Sequence, residues 1–284
     1  MELVSGNHVC GWDDPRLPTI SGLRRRGYTP TSLRNFVDSA GVAKRDNIID
    51  MSLLEHSIRE DLNVKSPRVM AVLNPIKLTI SNYPDGQEEF LEGEINPEQL
   101  GLGTRKIPFS KNIFIEREDF RESANKKFFR LTLEKEVRLK NAYIIKGESV
   151  IKDKEGNITE IICTYDPESK SGSGSEASMR KVKGTLHWVS QQHAFSAEVR
   201  LYDRLFQVSS PDQDKLVDFK SHLNSDSLSI ITAFVEPSLK GAKDFENYQF
   251  QRLGYFVVDP DSTPELLVFN KTVGLRDTWS KRNQ

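Results

Sequence analysis

The chain has 284 residues, 37% hydrophobic and 29% charged, with 40 Lys and Arg against 41 Asp and Glu for a formal net charge of -1. That length allows two modest domains, each with a real core, and the charge balance excludes a uniformly basic nucleic-acid coat or an acidic solvating tail. Mean hydropathy is -0.52 with no long apolar run, which excludes a transmembrane helix. Met1 to Asn7 lacks the basic-then-apolar order of a signal peptide. The cysteines, Cys10 and Cys163, are too few for a disulfide framework. A cytoplasmic location is expected.

Residues 1–66 read as short helices. Thr29-Pro30 pairs a capping hydroxyl with a proline at the first helical position, where its missing N–H costs nothing. Leu33, Phe36 and Val37 then fall on one face, and Gly41 supplies a stop. A second helix is predicted from about Met51 to Leu62, with Met51, Leu54, Ile58 and Leu62 as its apolar stripe. From Val69 onward the pattern changes to strands, with Val69, Ala71 and Leu73 alternating, then Leu78 and Ile80, then a turn at Tyr83-Pro84-Asp85-Gly86. Asn112 to Ile115 and Val137 to Lys140 continue the series, the latter leading into the apolar run Ala142 to Ile145. A strand ending near Lys152, the turn Asp153-Lys154-Glu155-Gly156-Asn157 and the return Ile158 to Tyr165 form a hairpin signature. Further strands are predicted at Val182–Val189, Glu198–Val208, Leu228–Phe234, Tyr255–Val258 and Leu266–Phe269. Ser169-Lys170-Ser171-Gly172-Ser173-Gly174-Ser175 has the composition of a flexible loop or linker. Many short strands separated by turns point to antiparallel barrels or sandwiches, not to a parallel nucleotide-binding sheet.

The near-zero net charge hides local imbalance. Residues 16–36 hold Arg16, Arg24, Arg25, Arg26 and Arg34 with no acid. Residues 126–146 hold Lys126, Lys127, Arg130, Lys135, Arg138, Lys140 and Lys146 against Glu134 and Glu136, with Phe128, Phe129 and Tyr143 interleaved. Basic side chains neutralise phosphates and aromatic rings stack unpaired bases. On a strand, Arg130, Arg138 and Lys140 share one face and Phe129 and Leu131 the other; the plainer reading is a solvated sheet face over core aromatics.

Catalytic patterns are missing. His8, His56, His187, His193 and His222 show no metal-ligand spacing with the cysteines, and His187-Trp188 reads as packing within a strand. Gly101-Leu102-Gly103-Thr104-Arg105-Lys106 lacks the spacing of a phosphate loop and reads as a surface turn. Asp13-Asp14, followed by Pro15, suits an Asx-type turn. The inventory is that of a binding protein.

Longer motifs carry a resemblance. Gly11-Trp12-Asp13-Asp14-Pro15-Arg16-Leu17-Pro18-Thr19-Ile20 and Ser21-Gly22-Leu23-Arg24-Arg25-Arg26-Gly27-Tyr28-Thr29 open it. It runs on through Ile58-Arg59-Glu60-Asp61-Leu62-Asn63, Pro67-Arg68, Lys135-Glu136-Val137-Arg138-Leu139, His187-Trp188-Val189 and Glu198 to Phe206, and closes on Val273-Gly274-Leu275-Arg276-Asp277-Thr278-Trp279. Together these resemble glutaminyl-tRNA synthetases of bacterial type over nearly the whole chain. The HIGH-like and KMSKS-like ATP motifs of class I synthetases are absent, and Ser280-Lys281-Arg282 lies outside any nucleotide fold. The expectation is the C-terminal half of such an enzyme, cut after the ATP site, with Met1 foreign to it and no activity alone.

The resemblance implies a mainly β fold with an N-terminal helical subdomain (1–66) and two antiparallel anticodon-binding barrels (67–170 and 180–261). The segment 262–284 is expected to return to the first barrel or the junction. It implies tRNA(Gln) as partner, together with the missing catalytic domain, in a monomer with no membrane contact. ATP and magnesium are expected in the parent enzyme and no cofactor or metal in this chain. By motif, Asn63 and Arg68 fall near the middle anticodon base, Arg130 on the third, Arg138 near the first, and Gln249 and Arg252 close on the middle uracil. Arg24, Arg25, Arg26, Lys127 and Lys140 are candidates for the tRNA backbone. Departures from the family pattern are Lys127 for a glutamine, Phe129 for a lysine, Lys140 for an arginine and Gln251 for a glutamate; a lysine cannot reproduce bidentate arginine contacts. The alternatives are a general RNA-binding or protein-docking barrel without anticodon selectivity and, last, a self-contained enzyme.

Overall fold

A computed structural model describes residues 1–44, 48–99, 101–125 and 127–276. Lys126, Asp277-Thr278-Trp279 and Ser280-Lys281-Arg282 lie outside the described residues. The fold is mainly β with helices at the N-terminus. It divides into a first unit, Met1–Pro67 with Ala197–Thr232 and Ala242–Gln284, and a second, Arg68–Ser196 with Ala233–Gly241. Among the described residues no helix is long and apolar enough to cross a membrane.

The first unit opens with α1 (Glu2–Ser5), α2 (Ile20–Arg25), α3 (Pro30–Ala40) and α4 (Met51–Lys65). α3 starts as its sequence dictates: the Thr29 hydroxyl accepts from the Ser32 N–H, Pro30 takes the first turn, and Gly41 ends it at φ 72°. Its apolar face is narrower than the periodicity predicts, because Val37 is 55% exposed. α4 is capped by Asp50, which accepts from Ser52 N–H at 2.7 Å, and runs to Lys65. Leu54, Ile58 and Leu62 pack it onto Leu23, Tyr28, Tyr255 and Val273. The strands of this unit lie in the order Asn247–Phe250, Gly254–Val258, Leu267–Gly274, Phe195–Tyr202, Leu228–Val235. Leu267–Gly274 and Phe195–Tyr202 run parallel, a pairing between strands far apart in sequence that no hairpin pattern announces.

One buried carboxylate ties this unit together. Asp259 is fully buried and accepts from Arg25 Nε at 2.9 Å and Nη2 at 3.0 Å, from the Asn270 amide, and from Arg200 at 3.4 Å. Arg25 also reaches Asp13 and Asp261 at 2.8 Å, and Arg200 reaches Glu198 and Asp261 at 2.7 Å. Burial by itself would raise the Asp259 carboxyl; the hydrogen bonds from Arg25, the Asp261 N–H and Asn270 outweigh it and hold the group below the usual carboxylate range.

The second unit carries a seven-stranded sheet in the order Thr185–Leu186, Glu136–Leu139, Ile144–Lys152, Ile158–Asp166, Pro75–Ile80, Asn112–Glu116, Val189–Ser190. The hairpin at Asp153–Asn157 forms as predicted. Asp153 accepts from the Glu155 and Asn157 N–H groups at 2.9 and 2.8 Å, and Gly156 sits at φ 88°. Pro75–Ile80 pairs antiparallel with Asn112–Glu116 and parallel with Ile158–Asp166. A further ribbon, Glu88–Glu94 with Thr104–Ser110, is absent from the sequence reading, since its first strand is rich in glutamates of poor β-propensity. Gly101 and Gly103, both at positive φ, lie in its exposed turn, so the surface turn read at 101–106 holds for its glycine half alone; Thr104, Arg105 and Lys106 belong to the second strand of the ribbon, paired with Glu94, Gly93 and Glu92. The core holds Trp188 and Phe109, edge to face at 5.0 Å, and His187 lies buried against Glu116 at 3.4 Å. Ser169–Ser175 has linker composition, yet its serines act as hydrogen-bonding caps inside the second unit. Ser169 Oγ accepts from Ile144 N–H at 2.8 Å, and Ser175 caps the short α5 (Glu176–Met179).

The Asp259 network predicts an acid limb. A carboxyl depressed in the fold contributes stability that is complete above its unfolded value near 4 and lost as pH falls through its lower folded value. Asp259→Asn is expected to lower unfolding stability at neutral pH by about 3 kcal/mol. It is also expected to flatten the decline in urea midpoint below about pH 4; an unaltered acid limb would remove Asp259 as its source.

Candidate nucleic-acid interface

In the first unit, Gln249 and Tyr255 face each other across the antiparallel pair Asn247–Phe250 and Gly254–Val258. The pairing puts Gln249 Nε2 2.8 Å from the Tyr255 hydroxyl, which in turn donates to Asn63 Oδ1 at 3.4 Å from the last turn of α4. The Gln249 N–H donates to the Pro67 carbonyl at 2.8 Å, fixing the strand to the exit of that helix. Two sequence candidates 186 positions apart thus share one hydroxyl, and the residue that joins them, Tyr255, is one the sequence reading did not select. Its signal was present: a tyrosine in a fully buried strand needs a partner for its hydroxyl. Arg252 occupies the exposed turn between the two strands at φ 67°.

Arg68 begins the second unit, with its N–H on the Ile95 carbonyl at 2.7 Å and its guanidinium 3.6 Å from Glu98. Arg130 is 42% exposed at its side chain, with Nε 3.2 Å from the buried Asp119 carboxylate and Nη1 donating to the Glu118 carbonyl at 3.0 Å. Those two contacts fix the guanidinium while leaving part of its fork toward solvent. Arg138 is held differently. Its terminal nitrogens donate to the carbonyls of Ser169, Ser178 and Arg180 and to the Ser171 hydroxyl, at 2.8 to 3.3 Å. None of these acceptors is a carboxylate; burial first, and then the neighbouring Arg180 charge, pull its pKa down. Lys127 and Lys140 are exposed, and the Lys140 carbonyl accepts from Trp188 Nε1 at 2.9 Å.

The strand alternation assumed for Phe129, Arg130 and Leu131 holds only in part. Leu131 is fully buried, but Phe129 is 53% exposed, because residues 127–130 form a turn and bend, not a strand, and period-two logic does not apply there. Tyr143 is buried as a core aromatic. The arginine triplet separates by environment. Arg24 is exposed, Arg25 is committed to the Asp259 network, and Arg26 lies over the Tyr202 ring at 5.5 Å with its guanidinium on the Thr272 and Pro15 carbonyls. Asp14 accepts from the Cys10 and Arg16 N–H groups at 2.9 Å, the Asx-type turn expected of that pair. Among the described residues no group of three or more His, Cys, Asp and Glu is placed to hold a metal ion.

The shared hydroxyl has a measurable role. Tyr255→Phe leaves the buried Gln249 amide without that acceptor and is expected to cost about 1–3 kcal/mol in chemical unfolding. An unchanged unfolding midpoint would show that the cluster does not hold Gln249.

Comparison with known proteins matches three consecutive stretches of the chain, the last of which draws on both structural units. Residues 66–166 and 185–259 each match the family described as "tRNA synthetases class I (E and Q), anti-codon binding domain", and residues 2–64 match its catalytic domain. A glutamine–tRNA ligase of Rhodopirellula baltica is 55% identical over 282 residues, 99% of this chain and 47% of that protein. Those of Vibrio parahaemolyticus and Salmonella paratyphi B are 55% and 54% identical, each over 99% of this chain and 50% of its own length. The chain spans about half the length of the curated relatives it matches. With both anticodon-binding matches and an N-terminal stretch of the catalytic one on a single chain, it belongs to the class I glutamate and glutamine tRNA synthetase family.

Proposed function

We propose that this chain recognises the anticodon of tRNA(Gln) as part of a glutamine–tRNA ligase acting in cytoplasmic translation. The observation that carries the reading is the pair of anticodon-binding matches over 66–166 and 185–259, in a chain more than half identical to glutamine ligases along its length. The side chains suit the task. Loop bases of an RNA are unstacked and read on their exposed edges, and arginine forks and amide groups present paired donors and acceptors to such edges. Asn63, Gln249 and Arg252 are assigned to the middle base together with Arg68, Arg130 to the third and Arg138 to the first. Arg138 must exchange some of its carbonyl partners to do so. Backbone contact falls to Arg24, Lys127 and Lys140, and less to Arg25 and Arg26, whose guanidinium groups are already engaged. ATP and magnesium are assigned to the catalytic part of such a ligase, with which this chain works as a monomer.

Titration of the chain with tRNA carrying a glutamine anticodon, and with the same tRNA altered at the middle base, tests the reading at fixed salt. The altered tRNA is expected to bind more weakly, and Arg130→Ala to lose about 1–3 kcal/mol and relax selectivity at the third base. Equal affinity for both tRNAs would favour the general RNA-binding or docking barrel instead.

A further inference from the structure

The exposed aromatic beside Arg130 has no role in the assignments above. Phe129 is 53% exposed, and Lys183 places its ammonium 5.7 Å from the ring centroid. A single exposed apolar residue is ordinary; this one is set among cations. Lys127 and Arg130 flank it in sequence, Lys181 and Lys183 are exposed on the neighbouring segment, and Arg121 lies over the adjacent Phe128 ring at 4.9 Å. The two segments are held in contact by backbone. A Cβ on Gly184 would stand 2.5 Å from the Phe129 carbonyl oxygen and 3.2 Å from Val137, so only glycine lets the Lys183 segment lie this close. The Gly184 carbonyl in turn accepts from the Arg138 N–H at 2.8 Å, which anchors that segment on the Glu136–Leu139 strand.

We propose that Phe129, with Lys183 beside it, is a stacking platform for an unpaired RNA base next to the one contacted by Arg130. The proposal rests on the anticodon-loop reading and deepens it. An aromatic face binds any base, and a neighbouring ammonium adds attraction both to the ring and to the phosphate that follows the stacked base. Phe129 therefore contributes affinity with little dependence on salt, and Lys183 contributes the salt-dependent part.

The test uses the full chain and an RNA hairpin bearing a glutamine anticodon loop, with a fluorescent base analogue beside the third anticodon position. Phe129→Ala is expected to weaken binding about 5- to 100-fold and to abolish the stacking-induced quench of the analogue. Phe129→Trp should bind like the unsubstituted chain, whereas Phe129→Leu, which keeps apolar bulk without a π face, should resemble the alanine variant. Phe129→Ala should leave the slope of log affinity against log salt unchanged, while Lys183→Ala reduces it by about 0.7. Because the ring is more than half exposed, all variants should melt like the parent. Unchanged affinity in Phe129→Ala, or full rescue by Phe129→Leu, would overturn the platform and leave anticodon recognition standing. Failure of the unsubstituted chain to bind the hairpin would overturn both.

Discussion

A carboxylate taken wholly out of water has to be met by charge and hydrogen bonds, and in the first unit Asp259 is that group. The groups that meet it come from α2, from the Phe195–Tyr202 strand and from the Leu267–Gly274 strand. Its demand therefore draws the N-terminal helices and the C-terminal strands into one body, although Arg25 and Asp259 stand 234 positions apart in the chain. The Asn63, Tyr255 and Gln249 arrangement depends on that union. Without the helices seated on the sheet, α4 could not bring Asn63 to the hydroxyl that Gln249 also uses.

The same economy sorts the arginines. A guanidinium has five donors in one plane, and whatever is not committed within the fold is available to a partner. Arg25 is spent on three carboxylates, and Arg26 on carbonyls and a ring. Arg130 is half committed, to one buried carboxylate and one carbonyl, which orients its fork without covering it. Among the described residues Arg138 meets only neutral acceptors, so its full positive charge remains to attract a phosphate or a base edge. Three arginines in a row are equal in the sequence and unequal in the fold, and the difference lies in what surrounds each: solvent at Arg24, carboxylates at Arg25, and carbonyls with a ring at Arg26.

Part of the fold was legible because its signals are local. The capped start of α3, its glycine stop, the Asp153–Asn157 hairpin and the Asx-type turn at Asp14 each rest on interactions within a few residues. The ribbon Glu88–Glu94 with Thr104–Ser110 was not legible, because it is held by cross-strand pairing and not by propensity. The serine-rich stretch misled in the other direction: hydroxyls that look like a linker are caps once a strand lies beside them.

By itself the sequence determined the family, the mainly β character with helices first, and which residues were worth examining, since motifs and periodicity are properties of neighbours along the chain. Only the tertiary structure decided that Tyr255 joins Asn63 to Gln249, that Arg25 serves Asp259, and that Phe129 stands in solvent while Leu131 is buried. The physical reason is the same in each case. Burial and ion pairing depend on segments that meet only when the chain is folded, and a pattern of period two or 3.6 carries no record of which distant segment arrives.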